Sequence, residues 1–106
     1  MDTPHTSPPI GEIPLSDLVT VISDVTRWRI LNELAKGEPL PVNEIARRIG
    51  VKAGNVSKHC NVLLYFEIVQ RGYGSLYKIP ERFLVPGERA LDFGAALIRL
   101  DRVDRA

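Results

Sequence analysis

The chain has 106 residues, of which 44% are apolar and 25% are charged, and its formal net charge is +1. This composition predicts one globular domain and excludes a disordered or low-complexity chain. A single cysteine excludes a disulfide within the chain, and no apolar run approaches the ~20 residues of a membrane-spanning helix. We therefore expect a cytoplasmic protein.

The N-terminal part is predicted to be an arm followed by two helices. Residues 1–14 contain four prolines and little apolar material, which is typical of a flexible segment. The folded domain is expected to span residues 15–103. It begins with a short helix around Leu18, and a second helix follows Asp24, whose side chain can cap the first turn. Gly37 is expected to end this second helix.

Two further helices and a β-hairpin are predicted next. The third helix lies between Pro41 and Gly50, and the fourth runs over about residues 53–66. Two short β runs flank residues 72–74, and a tight loop containing glycine between such runs predicts a hairpin. Residues 88–100 carry apolar side chains on one side at helical spacing, which predicts a last helix.

This order of elements is that of a winged helix-turn-helix, a mainly α fold with a small β-hairpin. Gly50 falls in the turn between the third and fourth helices, where this motif often has glycine. The motif places its second helix, here the fourth of the chain, in the major groove of DNA.

Positive charge is concentrated in the middle of the sequence. Residues 1–26 carry four acidic residues and no Lys or Arg, whereas residues 47–82 carry seven basic and two acidic residues, a balance of +5. Such asymmetry predicts a face that binds a polyanion, and a solvated surface with scattered charge is the alternative.

The fourth helix contains Ser57, Lys58, His59 and Cys60 in succession, which raises the question of a reactive or metal-binding centre. At 100° per residue, His59 and Cys60 lie on or beside the apolar side, and Ser57 and Lys58 lie opposite. Adjacent helical residues do not face each other, so His59 cannot readily activate Cys60. Two residues are also too few for a structural zinc site. The sequence therefore predicts no enzyme.

Each side of this helix has an expected role. Cys60 is predicted to be a small buried residue, with an oxidation switch as the alternative. His59 is predicted to pack at the helix edge with one ring nitrogen bonded, with a phosphate contact as the alternative. The outward side is predicted to contact DNA bases and phosphates, because such side chains match base edges, and a merely solvated polar face is the alternative. The outward residues are Lys52, Asn55, Ser57, Lys58 and Asn61.

Three groups of residues between positions 15 and 80 form a pattern: Asp24, Thr26, Arg27, Arg29, Ile30 and Leu31, then Val56, Ser57, His59 and Leu63, and in the wing Gly72, Tyr77 and Ile79. With these residues, the segment 15–80 resembles the ArsR (ArsR/SmtB) family of bacterial transcriptional regulators. The resemblance implies a homodimeric repressor, in a bacterial or archaeal cytoplasm, that releases a double-stranded DNA operator when an effector arrives. It also implies that Arg71, at the base of the wing, contacts the phosphate backbone, with Tyr73 at the wing tip.

The sequence departs from this family at several positions. Val25 and Cys60 stand where the family usually has proline and leucine, and Tyr73 takes a position that is often basic. Metal-sensing members have two cysteines at the start of the third helix, where this chain has Pro41 and Asn43.

Other members place Asp and His ligands on the last helix, where this chain offers Asp92, Asp101 and Asp104 without a histidine. Selectivity for soft metals depends on Cys and His ligands, so we expect no metal site and no cofactor. The effector is not identified.

Assembly is predicted to involve the first and last helices, which together present a smooth apolar surface. The expected dimer-interface residues are Leu15, Leu18, Ile22, Ala90, Phe93, Gly94, Leu97 and Ile98. The alternative function for the whole chain is a winged-helix module that binds an acidic protein surface instead of DNA.

Overall fold

The computed structural model describes residues 13–100, so the arm predicted for residues 1–14 lies almost entirely outside the described part. Four helices, a hairpin and a second hairpin follow one another in this part. The helices are α1 (Leu15–Ile22), α2 (Val25–Leu34), α3 (Val42–Ile49) and α4 (Ala53–Tyr65), and the strands are β1 (Gln70–Arg71), β2 (Tyr77–Lys78), β3 (Ala90–Asp92) and β4 (Leu97–Arg99).

The helix boundaries follow from local chemistry that the sequence displays. The Asp24 side chain accepts hydrogen bonds from the backbone N–H groups of Thr26 and Arg27, at 2.8 and 3.1 Å, and so caps α2 as predicted. Gly50 ends α3 with φ of +71°, a left-handed conformation that suits glycine, and its N–H bonds the carbonyl of Ala46 at 2.9 Å. This turn leads directly into α4.

The predicted wing is present. Strands β1 and β2 pair antiparallel, with Gln70 opposite Lys78 and Arg71 opposite Tyr77. On its other side Tyr77 exchanges two backbone hydrogen bonds with Leu40, at 2.8 and 2.9 Å, so the segment before α3 continues the small sheet. The prediction of a winged helix-turn-helix is confirmed.

One core joins all four helices to the C-terminal segment. Its fully buried members include Leu18, Val21, Ile30, Leu31, Leu34, Ile45, Val56, Cys60, Leu63, Ile68, Phe83, Leu91 and Phe93. Trp28, the only tryptophan of the chain, is also buried, and its indole N–H has no hydrogen-bond partner among residues 13–100. α4 thus packs on α2 and α3 through its apolar side, which leaves its other side to solvent.

The prediction of a last helix over residues 88–100 is wrong, because this segment forms the hairpin of β3 and β4. Leu91 and Phe93 are buried on either side of the exposed Asp92, which is the alternation of a strand. Gly94 has φ of +86°, and its N–H bonds the Asp92 carboxylate at 3.0 Å, which fixes the turn. In a helix the same glycine would cost ~1 kcal/mol relative to alanine.

Tertiary contacts hold this second hairpin against the helices. The Phe83 and Phe93 rings lie 4.9 Å apart between centroids. The Arg89 guanidinium donates to the carbonyl of Asn32 in α2 at 2.9 Å and also to the side-chain oxygen of Asn32. These contacts attach the second hairpin to α2 and to the segment that precedes it.

Candidate nucleic-acid interface

The two sides of α4 differ as predicted. Val56, Cys60 and Leu63 have no exposed surface, whereas Lys58 and Asn61 are exposed. The predicted division of the segment from Ser57 to Cys60 between two sides of the helix is therefore confirmed. The outward side holds amide, hydroxyl and ammonium groups, all of which can bond base edges or phosphates.

Cys60 lies in the core and is not a reactive surface thiol. Burial raises the pKa of its thiol to about 11, because a thiolate would lose its hydration there. The thiolate is the form that reacts with oxidants and metals. At neutral pH Cys60 is consequently a protonated, buried side chain.

A groove brings several predicted contact residues together. It lies between the start of α3, the outward side of α4 and the wing, and has a volume of about 430 Å³. Within it the Arg71 guanidinium donates to the Ser75 hydroxyl at 3.2 Å and lies 6.0 Å from the centre of the Tyr77 ring. The lining residues are Pro41, Val42, Asn43, Ser57, Asn61, Arg71, Ser75 and Tyr77.

The other predicted contact residues lie outside this groove. Lys52, Asn55 and Lys58 are exposed at the start and along the outward side of α4. Tyr73 is fully exposed at the wing tip. The candidate interface thus includes the start and outward side of α4, the groove and the end of the wing.

His59 faces inward, away from that surface. Its Nδ1 lies 3.2 Å from Nη1 of Arg27, and its Nε2 lies 3.9 Å from the Asp24 carboxylate. Its predicted position at the helix edge with one ring nitrogen bonded is confirmed. Partial burial acts to raise the pKa of Asp24, but the N–H of Arg27, the electrostatic effect of the His59 ring and the N–H of Thr26 outweigh it and hold that pKa below its usual range.

The arginines of α3 are neutralised by carboxylates. Arg47 and Arg48 both donate to the Glu44 side chain, from Nε at 3.0 and 2.8 Å. Arg48 also lies 3.3 Å from Glu38 and 3.7 Å from Glu33 of α2. The hydrogen bonds from Arg47 and then Arg48 lower the pKa of Glu44 to about 2. These two cations are therefore engaged within the protein.

The cations at the start of α4, along its outward side, in the wing and just after the wing are different, since none of them lies within ion-pairing distance of a carboxylate in residues 13–100. They are Lys52, Lys58, Arg71, Lys78 and Arg82. Lys78 and Arg82 were not among the predicted contacts. They line a second depression with Arg71, of about 450 Å³, on the other face of the wing. Strand alternation could have placed Lys78 outward, because its neighbour Tyr77 is buried.

The predicted dimer residues fall into two groups. Leu18, Ala90 and Phe93 are buried in the core of the single chain, so their side chains have no surface to offer a second copy. Leu15 and Leu97 are about half exposed, at 56% and 51%. Gly94 is also exposed, and Ile22 and Ile98 are partly buried.

The start of α1 and the tip of the second hairpin are neighbours in the structure. The N–H of Ile13 bonds the carbonyl of Phe93 at 2.8 Å, and Ile13 bridges to Gly94. Val19, one helical turn beyond Leu15, is 57% exposed. Leu15, Val19 and Leu97 are therefore exposed apolar side chains on neighbouring elements, and together they are termed the apolar strip.

No group of three or more His, Cys, Asp or Glu side chains within residues 13–100 is placed to hold a metal ion. Pro41 and Asn43 line the groove, and Asp101 and Asp104 lie outside the described residues. None of the helices between residues 13 and 100 is long and apolar enough to span a membrane.

Residues 23–64 match the MarR family, over less than half of the chain. The matched segment covers α2, α3 and nearly all of α4, which is the helix-turn-helix with the helix that precedes it. The chain has no match among curated proteins. The match and the fold support a winged-helix, DNA-binding transcription regulator and not an enzyme.

Proposed function

We propose that this chain is an ArsR-type repressor that binds an operator in duplex DNA as a homodimer, with α4 in the major groove and the wing against the adjacent backbone. The observation that carries this proposal is the contrast between the arginines of α3, which are paired with carboxylates, and the cations of α4 and the wing, which have no carboxylate partner within residues 13–100. Cations without carboxylate partners are available to replace the counterions of DNA phosphates.

The outward side of α4 supplies groups that discriminate bases. An α-helix fits the major groove, which is about 12 Å wide, and asparagine there can bond adenine through two atoms. Asn61 and Ser57 line the groove between α4 and the wing, so a base edge beside Asn61 has the Arg71 guanidinium nearby. Bases would be read by α4 while Arg71 holds a phosphate.

Selection of random-sequence duplexes by the purified protein tests this function. We expect one sequence class to be enriched and its binding to weaken steeply with salt, since each phosphate contact contributes about 0.9 to the slope of log affinity against log salt. No enrichment together with no salt dependence would contradict the proposal and favour the module that binds an acidic protein.

A matched pair of double variants tests which cations contact DNA. Lys52→Gln with Lys58→Gln should lower the salt slope by about two units. Arg47→Gln with Arg48→Gln removes the same formal charge but should leave the slope unchanged, because these arginines already have carboxylate partners. Equal loss of slope in both double variants would contradict this placement of the interface.

The homodimer is proposed to form through the apolar strip of Leu15, Val19 and Leu97. Exposed apolar side chains on adjacent elements are stabilised when a second copy covers them. Two α4 helices would then read half-sites about 34 Å apart, one turn of DNA.

Light scattering at tens of micromolar should give the mass of two chains, and Leu97→Asp should give one. Tyr65→Asp, which places the same charge on an apolar side chain that is 80% exposed in α4, serves as the control and should leave the dimer mass unchanged. A monomeric native protein would refute the dimer but leave DNA binding open to the preceding tests.

A further inference from the structure

The side chain of Arg27 in α2 joins three helices. Its Nε donates to the carbonyl of Val21 at 2.8 Å, and its Nη2 donates to the carbonyl of Thr20 at 3.2 Å, both in the last turn of α1. Its Nη1 lies 3.2 Å from Nδ1 of His59 in α4. The last carbonyls of a helix lack partners within the helix, and α1 has no basic residue of its own in that turn, so Arg27 supplies both donors and charge.

The contact with Arg27 fixes the state of the His59 ring. A guanidinium carries only donors, so Nδ1 of His59 must be the acceptor and its proton must reside on Nε2. That nitrogen points toward the Asp24 carboxylate, 3.9 Å away, which also caps α2. The imidazole is therefore held between two side chains from the start of α2.

His59 is the only residue of α4 whose side chain is hydrogen-bonded or ion-paired to another element within residues 13–100. The remaining attachment of α4 is apolar, through Val56, Cys60 and Leu63, and apolar packing has no preferred direction. Hydrogen bonds weaken steeply when their angle changes. A rotation of about 15° moves a side chain on a helix by roughly 1.5 Å at a radius of about 5–6 Å, which is enough to misplace a base contact.

We propose that Arg27 is a positioning residue, which sets the rotation of α4 through His59 and couples it to the end of α1. Asn61, two residues beyond His59 on the outward side, would be aimed at its base by this contact. A displacement of α1, the helix proposed to form part of the dimer, would be passed to α4 through one guanidinium. This inference rests on the proposed function.

DNA titrations of four variants test the inference, with the duplex enriched by selection and a scrambled duplex of equal length. His59→Leu and Arg27→Ala should each weaken the enriched duplex about tenfold, the worth of one hydrogen bond to a charged group, and leave the scrambled duplex nearly unchanged. The double variant should be no weaker than Arg27→Ala alone, because that variant already removes the contact with His59 together with the two bonds to α1. His59→Gln, which retains an acceptor, should bind almost as the native protein does.

The position of the proton on the His59 ring gives a second measurement, which a loss of stability alone would not change. In a His5→Gln background, His59 is the only imidazole, and its nitrogen resonances should show an unprotonated Nδ1 and a protonated Nε2. Arg27→Met, which has no donor, should shift the Nδ1 resonance, because the hydrogen bond from the guanidinium is lost. Equal weakening of both duplexes, additive losses in the double variant, or an unchanged Nδ1 resonance in Arg27→Met would overturn the inference. If the native protein does not distinguish the two duplexes, the proposed function itself fails.

Discussion

The two helices of the helix-turn-helix use their cations in opposite ways. In α3, Arg47 and Arg48 share the carboxylate of Glu44, and Arg48 also reaches Glu33 and Glu38. Lys52, directly before α4, and Lys58, within it, have no carboxylate within ion-pairing distance among the described residues. The two helices lie side by side and both are basic in sequence. The difference teaches that the number of cations in a helix is a poor guide to whether the helix binds an anion. What matters is whether those cations are already paired with carboxylates of the protein.

The outward side of α4 is free to bind DNA only if its inward side holds the helix in the core. A substitution on the inward side should therefore have the largest effect on stability. Leu63→Ala removes a fully buried side chain and should lower the free energy of unfolding by about 2–5 kcal/mol. Urea unfolding followed by circular dichroism measures it. Asn61→Ala, on the exposed side, is the control and should change stability by no more than about 0.5 kcal/mol. Comparable losses would mean that the two sides are not distinct.

The protection of Cys60 sharpens the same contrast. Because burial raises the pKa of its thiol from 9.0 to about 11, the thiolate is about a hundredfold scarcer at pH 8 than in an exposed cysteine. Alkylation by iodoacetamide should be slower in the native protein by at least that factor than in the urea-unfolded protein. Similar rates in the two states would show that α4 is not packed as described and would revive the oxidation switch.

Base reading and backbone binding should separate between Asn61 and Arg71. Asn61→Ala should lower affinity for the enriched duplex by about 1–3 kcal/mol, the usual worth of a bidentate base contact, with little change for scrambled DNA. Titrations at three salt concentrations measure both affinities. If Asn61→Ala and Arg71→Ala have the same profile, then α4 is not the element that reads sequence.

Arg71→Ala gives a smaller effect, and one that does not depend on sequence. It should weaken enriched and scrambled duplexes in similar proportion and lower the salt slope by about one unit. Arg47→Ala is the matched variant, since Arg47 is already bonded to Glu44, and it should leave the slope unchanged. A reduced salt slope for Arg47→Ala would place α3 against the phosphates as well. The proposed difference between α3 and α4 in DNA binding would then be wrong.

The smallest expected effect is the pH dependence of the α3 ion pairs. The pKa of Glu44 is lowered from 4.5 to about 2, so its pairing stabilises the fold fully above pH 4.5 and is lost as the pH falls toward 2. The difference in urea midpoint between the native protein and Glu44→Gln should therefore shrink over this range. Since the group is exposed, the difference is expected to be small throughout. A difference that grows on acidification would contradict the assignment.

The segment from α2 to α4 could be predicted from the sequence because its signals are local. Asp24 caps a helix at its own position, and Gly50 permits a left-handed turn at its own position. The two sides of α4 follow from a fixed 100° per residue. Caps, turns and helix sides depend on residues that are close in the sequence, so a single sequence is enough to predict them.

The C-terminal segment could not be predicted because its pattern fits two periods. Leu91 and Phe93 are two apart, as in a strand, while Ala90, Phe93, Leu97 and Ile98 also match a helix. The strand is favoured over the helix by tertiary contacts, namely the packing of Phe93 on Phe83 and the bonds from Arg89 to Asn32. Likewise, the pairing of Arg48 with Glu33 joins two helices, so no count along the chain could reveal it.

The lone tryptophan gives this molecule an optical reporter of its own. Trp28 follows Arg27 in α2 and has an indole N–H that no described residue bonds, so its emission responds directly to any polar group or solvent that reaches it. A ligand that changes the surroundings of Trp28 can thus be detected by fluorescence in the unlabelled protein, without knowledge of the DNA sequence. Small molecules can be screened by this signal before a single gene under its control has been identified.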